Sequence, residues 1–162
     1  MTTAHLLTLP LADAEATTRL GQWFAARLRP GDVLLLAGQI GAGKTHFARS
    51  LIQKRLADAG LREDVPSPTF TLVQTYDDDL AEIWHADLYR LTHPDEAAEL
   101  GLEEAFETAI CLIEWPDRLG DMAPTSALRL EFTLSQGGYS RDLVLSGPPA
   151  WAGRIKGLAD GI

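Results

Sequence analysis

The sequence predicts an α/β fold, and three observations carry that reading. Two short, continuous apolar runs, Val33–Ala37 and Ala109–Ile113, suit strands covered on both faces, as in a parallel sheet. Before and after the first run lie segments with helical patterning, such as Leu20, Trp23, Phe24 and Leu28 at three- and four-residue spacing. Towards the C-terminus Leu128, Leu130, Phe132 and Leu134 alternate with Arg129, Glu131 and Thr133, the period of a half-buried strand. The expected architecture is a central mixed, mainly parallel sheet flanked by helices, with antiparallel hairpin additions.

Each element follows in order. His5–Leu9 is a short strand, Ala12–Leu28 a helix, and Arg29-Pro30-Gly31-Asp32 a turn. After the apolar strand Val33–Ala37 comes a glycine-rich loop, then a helix over Thr45–Ala59 that Gly60 stops. Pro66 and Pro68 make 65–69 a loop, because neither supplies a backbone donor. Phe70–Tyr76 and Leu80–Ala86 form a hairpin around Asp77-Asp78-Asp79. Pro94–Phe106 holds acidic helical turns interrupted near Gly101. Beyond the Leu128–Leu134 strand, Gln136-Gly137-Gly138 is a turn and Asp142–Leu145 the returning strand. The tail 148–162 has room for a short helix.

The chain has 162 residues, 46% of them hydrophobic and 23% charged, which suits one compact domain over 1–162. No run of eighteen apolar residues occurs and the first residues carry no Lys or Arg ahead of an apolar core. Neither a membrane span nor a secretory signal is therefore expected. The single cysteine, Cys111, has no disulfide partner and no zinc-ligand spacing, so a buried, apolar role in a cytoplasmic protein is expected. The net charge of −9 argues against direct binding of nucleic acid, which rests on neutralising phosphates. Any RNA role is expected to run through a partner.

The chemistry concentrates at Gly38-Gln39-Ile40-Gly41-Ala42-Gly43-Lys44-Thr45, a full match to the P-loop pattern. Glycines permit backbone angles at which successive N–H groups face an anion, and the helix that follows adds its positive N-terminal end. Gly38, Gly41, Ala42, Gly43, Lys44, Thr45 and His46 are the candidate nucleotide-binding residues. Lys44 is expected at the β- and γ-phosphates and the Thr45 hydroxyl on magnesium. The fold class becomes a single P-loop NTPase domain, and ATP with Mg²⁺ the expected pair. No Asn-Lys-x-Asp stretch for reading guanine occurs.

Magnesium needs carboxylate help from the end of a neighbouring buried strand. Glu114 follows the apolar run Ala109–Ile113, and Asp87 follows Glu82–Ala86. Glu114 is the better candidate for the metal, and Asp87 is a candidate for orienting the attacking water or helping to hold the metal. Lys44, Asp87 and Glu114 are the candidate catalytic residues. Thr69, within Ser67-Pro68-Thr69, is a candidate γ-phosphate sensor. His85 reads as structural more readily than as a base. Arg90 and Arg118 are candidates to touch the transferring phosphoryl group, with surface pairing the simpler reading.

Four segments in order resemble the TsaE (YjeE) family of bacterial P-loop ATPases. They are Gly38–Thr45 with Phe47, Ser67–Val73, His85-Ala86-Asp87-Leu88-Tyr89-Arg90-Leu91, and Ile113-Glu114-Trp115-Pro116. The resemblance spans Val33 to Pro116. It implies a part in making threonylcarbamoyladenosine beside the tRNA anticodon, with ATP bound and hydrolysed in complex with the partners TsaB and TsaD. It also implies that Lys44 and Thr45 hold phosphate and magnesium, that Glu114 is the metal-linked acid, and that Asp87 is a second functional acid. Trp115 would be a functional tryptophan at the partner or nucleotide pocket. Two positions depart from the family's habit: Gln39 stands where an acid is common, and His46 where a second hydroxyl residue is common. Two other readings share the loop. A small-molecule kinase would need an acceptor pocket and an arginine-rich lid, and a non-catalytic nucleotide sensor would bind without turnover.

Overall fold

The computed structural model of the chain describes residues 4–135, 137, 138 and 140–162. Seven strands form one mixed sheet in the order β1-β7-β6-β2-β5-β4-β3. They are β1 (Ala4–Leu11), β2 (Val33–Gly38), β3 (Val73–Asp77), β4 (Glu82–Asp87), β5 (Ile110–Glu114), β6 (Leu128–Leu134) and β7 (Arg141–Gly147). The four central strands, β6, β2, β5 and β4, run parallel, while β1, β7 and β3 pair antiparallel at the two sides. The apolar runs occupy the covered middle, and the alternating segments lie further out, as their patterning requires.

Side-chain alternation along β2 divides the core in two. Leu34 and Leu36 face α1 (Ala14–Ala25) and α2 (Lys44–Asp58), packing with Leu20, Phe24, Phe47 and Ile52. Val33 and Leu35 face the other side with Cys111, Ile113, Ala105 of α4 (Leu102–Thr108) and Ala97 of α3 (Pro94–Glu99). Cys111 is fully buried there, and burial pushes its thiol pKa up to about 12. Among the described residues no helix is long and apolar enough to cross a membrane.

Several boundaries differ from the expected ones for local reasons. The helix expected over Ala12–Leu28 starts after Asp13, whose carboxylate caps it by accepting from Ala16 N at 2.9 Å. The strand expected from Phe70 starts at Val73, because Leu72 N donates to Pro68 O at 2.7 Å and Leu72 adopts φ 68°. Its partner, expected from Leu80, starts at Glu82, because Asp78 Oδ1 accepts from Leu80 N and Ala81 N. The helical stretch 94–106 is two helices, parted where Gly101 takes φ 81°. The tail holds α5, Ala150–Arg154. The turn expected at Gln136–Gly138 falls partly outside the described residues, since Gln136 is not among them.

Candidate functional site

Parallel strands bring their C-terminal ends to one edge of the sheet, and the site is built there. Gly38 ends β2 at φ 136°, and a Cβ at that position would run into the carbonyl oxygen of Phe132 on β6. Glycine is thus required both by the backbone angle and by the neighbouring strand. The loop then turns into α2 through Gly43 at φ 110°. Lys44 opens the helix with only 4% of its surface exposed. Its ammonium donates to Gly38 O, and to Gln39 O at 3.4 Å, and lies 3.7 Å from the centroid of the Trp115 ring. Burial lowers the Lys44 pKa, against the pull of Glu114, Asp87 and Glu131 in the other direction.

Glu114 ends β5 and Asp87 ends β4, directly opposite one another in the parallel register. Thr45 Oγ1 donates to Glu114 Oε1 at 2.7 Å. Glu114 Oε2 lies 2.7 Å from Nε2 of His85, a residue with no exposed surface. With Glu114 ionised, His85 Nε2 supplies the N–H of that contact, and among the described residues its Nδ1 has no hydrogen-bond partner. Asp87 Oδ1 accepts from Tyr89 N at 3.0 Å. Burial raises the Asp87 carboxyl pKa, opposed by the Tyr89 N–H and reinforced by the nearby Glu114 charge.

Lys44, Thr45, Asp87 and Glu114 line a cleft of about 540 Å³ with Ile40, Gly41, Gly43, His46, Ser67, Thr69, Tyr89, Trp115 and Arg141. That volume suits a ligand of nucleotide size. Ser67 and Thr69 reach it from the proline loop, their hydroxyls 2.8 Å apart. Trp115 adopts φ 59°, ψ 54°, a strained conformation for a bulky side chain, and its ring packs 4.8 Å from that of Tyr89.

Of the candidate residues, Lys44, Thr45, Asp87, Glu114, Thr69 and Trp115 converge on this cleft. Gly38 and Ala42 are not on its wall: Gly38 accepts from the lysine, and Ala42 is buried with its N–H donating to Gln39 O. The His46 ring turns towards α1, with Nε2 2.8 Å from Thr18 Oγ1 and 3.2 Å from Ala14 O. Neither Arg90 nor Arg118 lines the cleft, and the Arg90 guanidinium lies 5.4 Å from the exposed Phe70 ring instead. The arginine at the cleft is Arg141, the first residue of β7. Nothing in the local sequence around Arg141 marked it, because only the β6–β7 pairing carries it to the loop.

The donor set fits a magnesium–triphosphate pair. A hydroxyl and a carboxylate in direct contact are hard oxygen groups of the kind Mg²⁺ uses, one or two from protein and the rest from phosphate and water. Among the described residues no cluster of three His, Cys, Asp or Glu side chains forms an all-protein metal cage.

Strand, glycine loop and helix, with acids at the ends of the adjacent strands, define the class: a P-loop NTPase fold. Within that class the chain belongs to the TsaE family. Residues 11–143 match the family model described as "Threonylcarbamoyl adenosine biosynthesis protein TsaE". The chain is 40% identical over 124 residues to the tRNA threonylcarbamoyladenosine biosynthesis protein TsaE of Rickettsia bellii, covering 76% of this chain and 84% of that one. It is 44% identical over 109 residues to the TsaE protein of Rickettsia felis, covering 67% of this chain and 62% of that longer one. A crystal structure of Bacillus subtilis YdiB superimposes with a TM-score of 0.78 at 25% identity, covering 99% of this chain and 97% of that one.

Proposed function

We propose that this chain binds ATP with Mg²⁺ and hydrolyses it in support of tRNA N6-threonylcarbamoyladenosine formation, working in the cytoplasm with TsaB and TsaD as one domain over residues 1–162. The observation that carries the reading is the meeting of Lys44, Thr45, Asp87 and Glu114 at the ends of β2, β4 and β5 around one glycine loop. Family membership supports the pathway, and the two partners are the family's, as the sequence resemblance implied.

Each residue has a role derived from its surroundings. Loop amides and the α2 N-terminus receive the phosphates, and Lys44 exchanges its bonds to Gly38 O and Gln39 O for phosphate oxygens. Thr45 and Glu114 would hold Mg²⁺, which supplies charge neutralisation on the phosphate oxygens when bound. Both Glu114 oxygens are engaged, one by the Thr45 hydroxyl and one by His85, which fixes the orientation of the carboxylate beside the loop. Asp87 has its raised pKa and one oxygen outside the Tyr89 contact, which suits it to orient water. Ser67 and Thr69 offer hydroxyls to the terminal phosphate. An acidic chain gains its RNA through the complex rather than by direct contact.

Calorimetry with ATP and Mg²⁺ tests the binding half: Lys44→Ala is expected to abolish measurable affinity, and an unchanged Kd overturns the reading. Reconstitution with TsaB, TsaD and tRNA tests the rest. Repeated modification should require this chain and consume ATP, and normal repeated modification without it would contradict the role.

A further inference from the structure

We infer that Arg141 is a positioning residue that braces the phosphate loop in its anion-gripping shape before nucleotide arrives. Its guanidinium spans two consecutive loop carbonyls: Nη2 donates to Gly41 O at 3.1 Å and Nε to Ala42 O at 3.3 Å. In a trans peptide the carbonyl and the next N–H point in opposite directions. Drawing both carbonyls towards β7 therefore turns the Ala42 and Gly43 N–H groups away from it. The Ala42 N–H closes a turn onto Gln39 O at 3.1 Å, and the Gly43 N–H lies immediately before Lys44, where phosphate-binding amides belong.

The sheet sets this contact at both ends. Arg141 is paired by its backbone to Leu134 on β6 and to Leu11 on β1, so its Cα is held from both sides. The start of the loop is held against β6 by Gly38, which pairs with Phe132. At Gly43 an added Cβ would stand 3.9 Å from Arg141 Nε, so a side chain there would sit against the guanidinium. A planar fork with donors on two nitrogens suits two adjacent carbonyls, which a single ammonium spans poorly. The same guanidinium lines the cleft and brings a positive charge to a wall that otherwise carries Asp87 and Glu114 beside Lys44.

The inference rests on the ATP-binding reading for its consequence but not for its first measurement. Amide hydrogen exchange of the nucleotide-free protein, followed by NMR at Ala42 and Gly43, reads the brace directly. Arg141→Ala and Arg141→Lys should both speed exchange at these amides and leave exchange in the β2–β5 ladder unchanged. In calorimetry both should weaken ATP–Mg²⁺ binding by about tenfold. Arg141→Lys keeps the aliphatic stem and the charge, so it decides the matter if the alanine variant fails to fold. Wild-type exchange at Ala42 and Gly43 in Arg141→Lys, with wild-type affinity, would mean that charge alone acts, and overturns the brace. Failure of the wild-type chain to bind ATP would sink the function proposed above, while the exchange result would still stand or fall by itself.

Discussion

Residue by residue, the site is a set of charges held where water would otherwise screen them. Asp87 is the clearest case, because burial raises its pKa above the ordinary carboxylate value of 3.8. Between that value and its raised one, the folded chain holds the proton more tightly than the unfolded chain, so stability falls as pH climbs through the window. Above the window an ionised Asp87 costs the fold. Asp87→Asn keeps an oxygen for Tyr89 N and removes the charge, so its Tm should exceed wild type at neutral pH. The advantage should vanish once the pH drops below the ordinary carboxylate value, and thermal melts across pH would read this. A lower Tm for Asn at neutral pH contradicts the assignment. His85 provides a second test through a hydrogen bond. His85→Leu strips the donor from a buried carboxylate oxygen, at a cost of about 1–3 kcal/mol, whereas Gln can supply an amide N–H. Chemical denaturation should rank wild type above Gln and Gln above Leu; equal losses would show that only ring packing matters. The P-loop residues were legible because their spacing is itself the device. The His85–Glu114 contact was not, since a strand histidine looks alike whether it packs or donates.

Elements show the same division between what is local and what is not. Asp13 as a helix cap, the break at Gly101 and the strand end at Asp87 all follow from residues within a few positions of one another. The β3–β4 turn does not. Its Asp78 accepts from Arg55 Nε and Nη2 at 2.8 Å each, while Arg55 Nη1 donates to Ala25 O and Leu28 O. Three aspartates in a row mark the hairpin break in the sequence, yet the middle one is buried and, through Arg55, ties the hairpin to both helices. Removing one member of such a pair leaves a buried charge unmatched, at roughly 3–5 kcal/mol. Asp78→Ala should therefore lower the denaturant midpoint by an amount of that order. It should leave ATP affinity intact in the folded protein, because Asp78 precedes β4 and the cleft lies at that strand's other end. A shift in midpoint too small to measure would show the pair to be dispensable, and a parallel loss of affinity would show that the two ends of the strand are coupled.

At the scale of the whole molecule, charge and sheet order govern what the chain does. With a net charge of −9 the chain should not retain tRNA by itself in an electrophoretic shift assay at physiological salt, and should do so only with the proposed partners present. Tight, salt-sensitive binding by the isolated chain would contradict an indirect role. The parallel centre of the sheet gathers Gly38, Asp87 and Glu114 at one edge, and the antiparallel β6–β7 pair adds Arg141 from the far side of the loop. The amino-acid sequence by itself determined the strand–glycine loop–helix unit, the two acids at strand ends and the acidic balance. Those features live in contiguous segments or in bulk composition. Only the tertiary structure decided that His85 grips Glu114 from 29 positions away and that Arg141 reaches Gly41 across 100. Such contacts depend on which strands become neighbours and in what register, and that is set by how the whole apolar surface is buried rather than by any one segment's pattern.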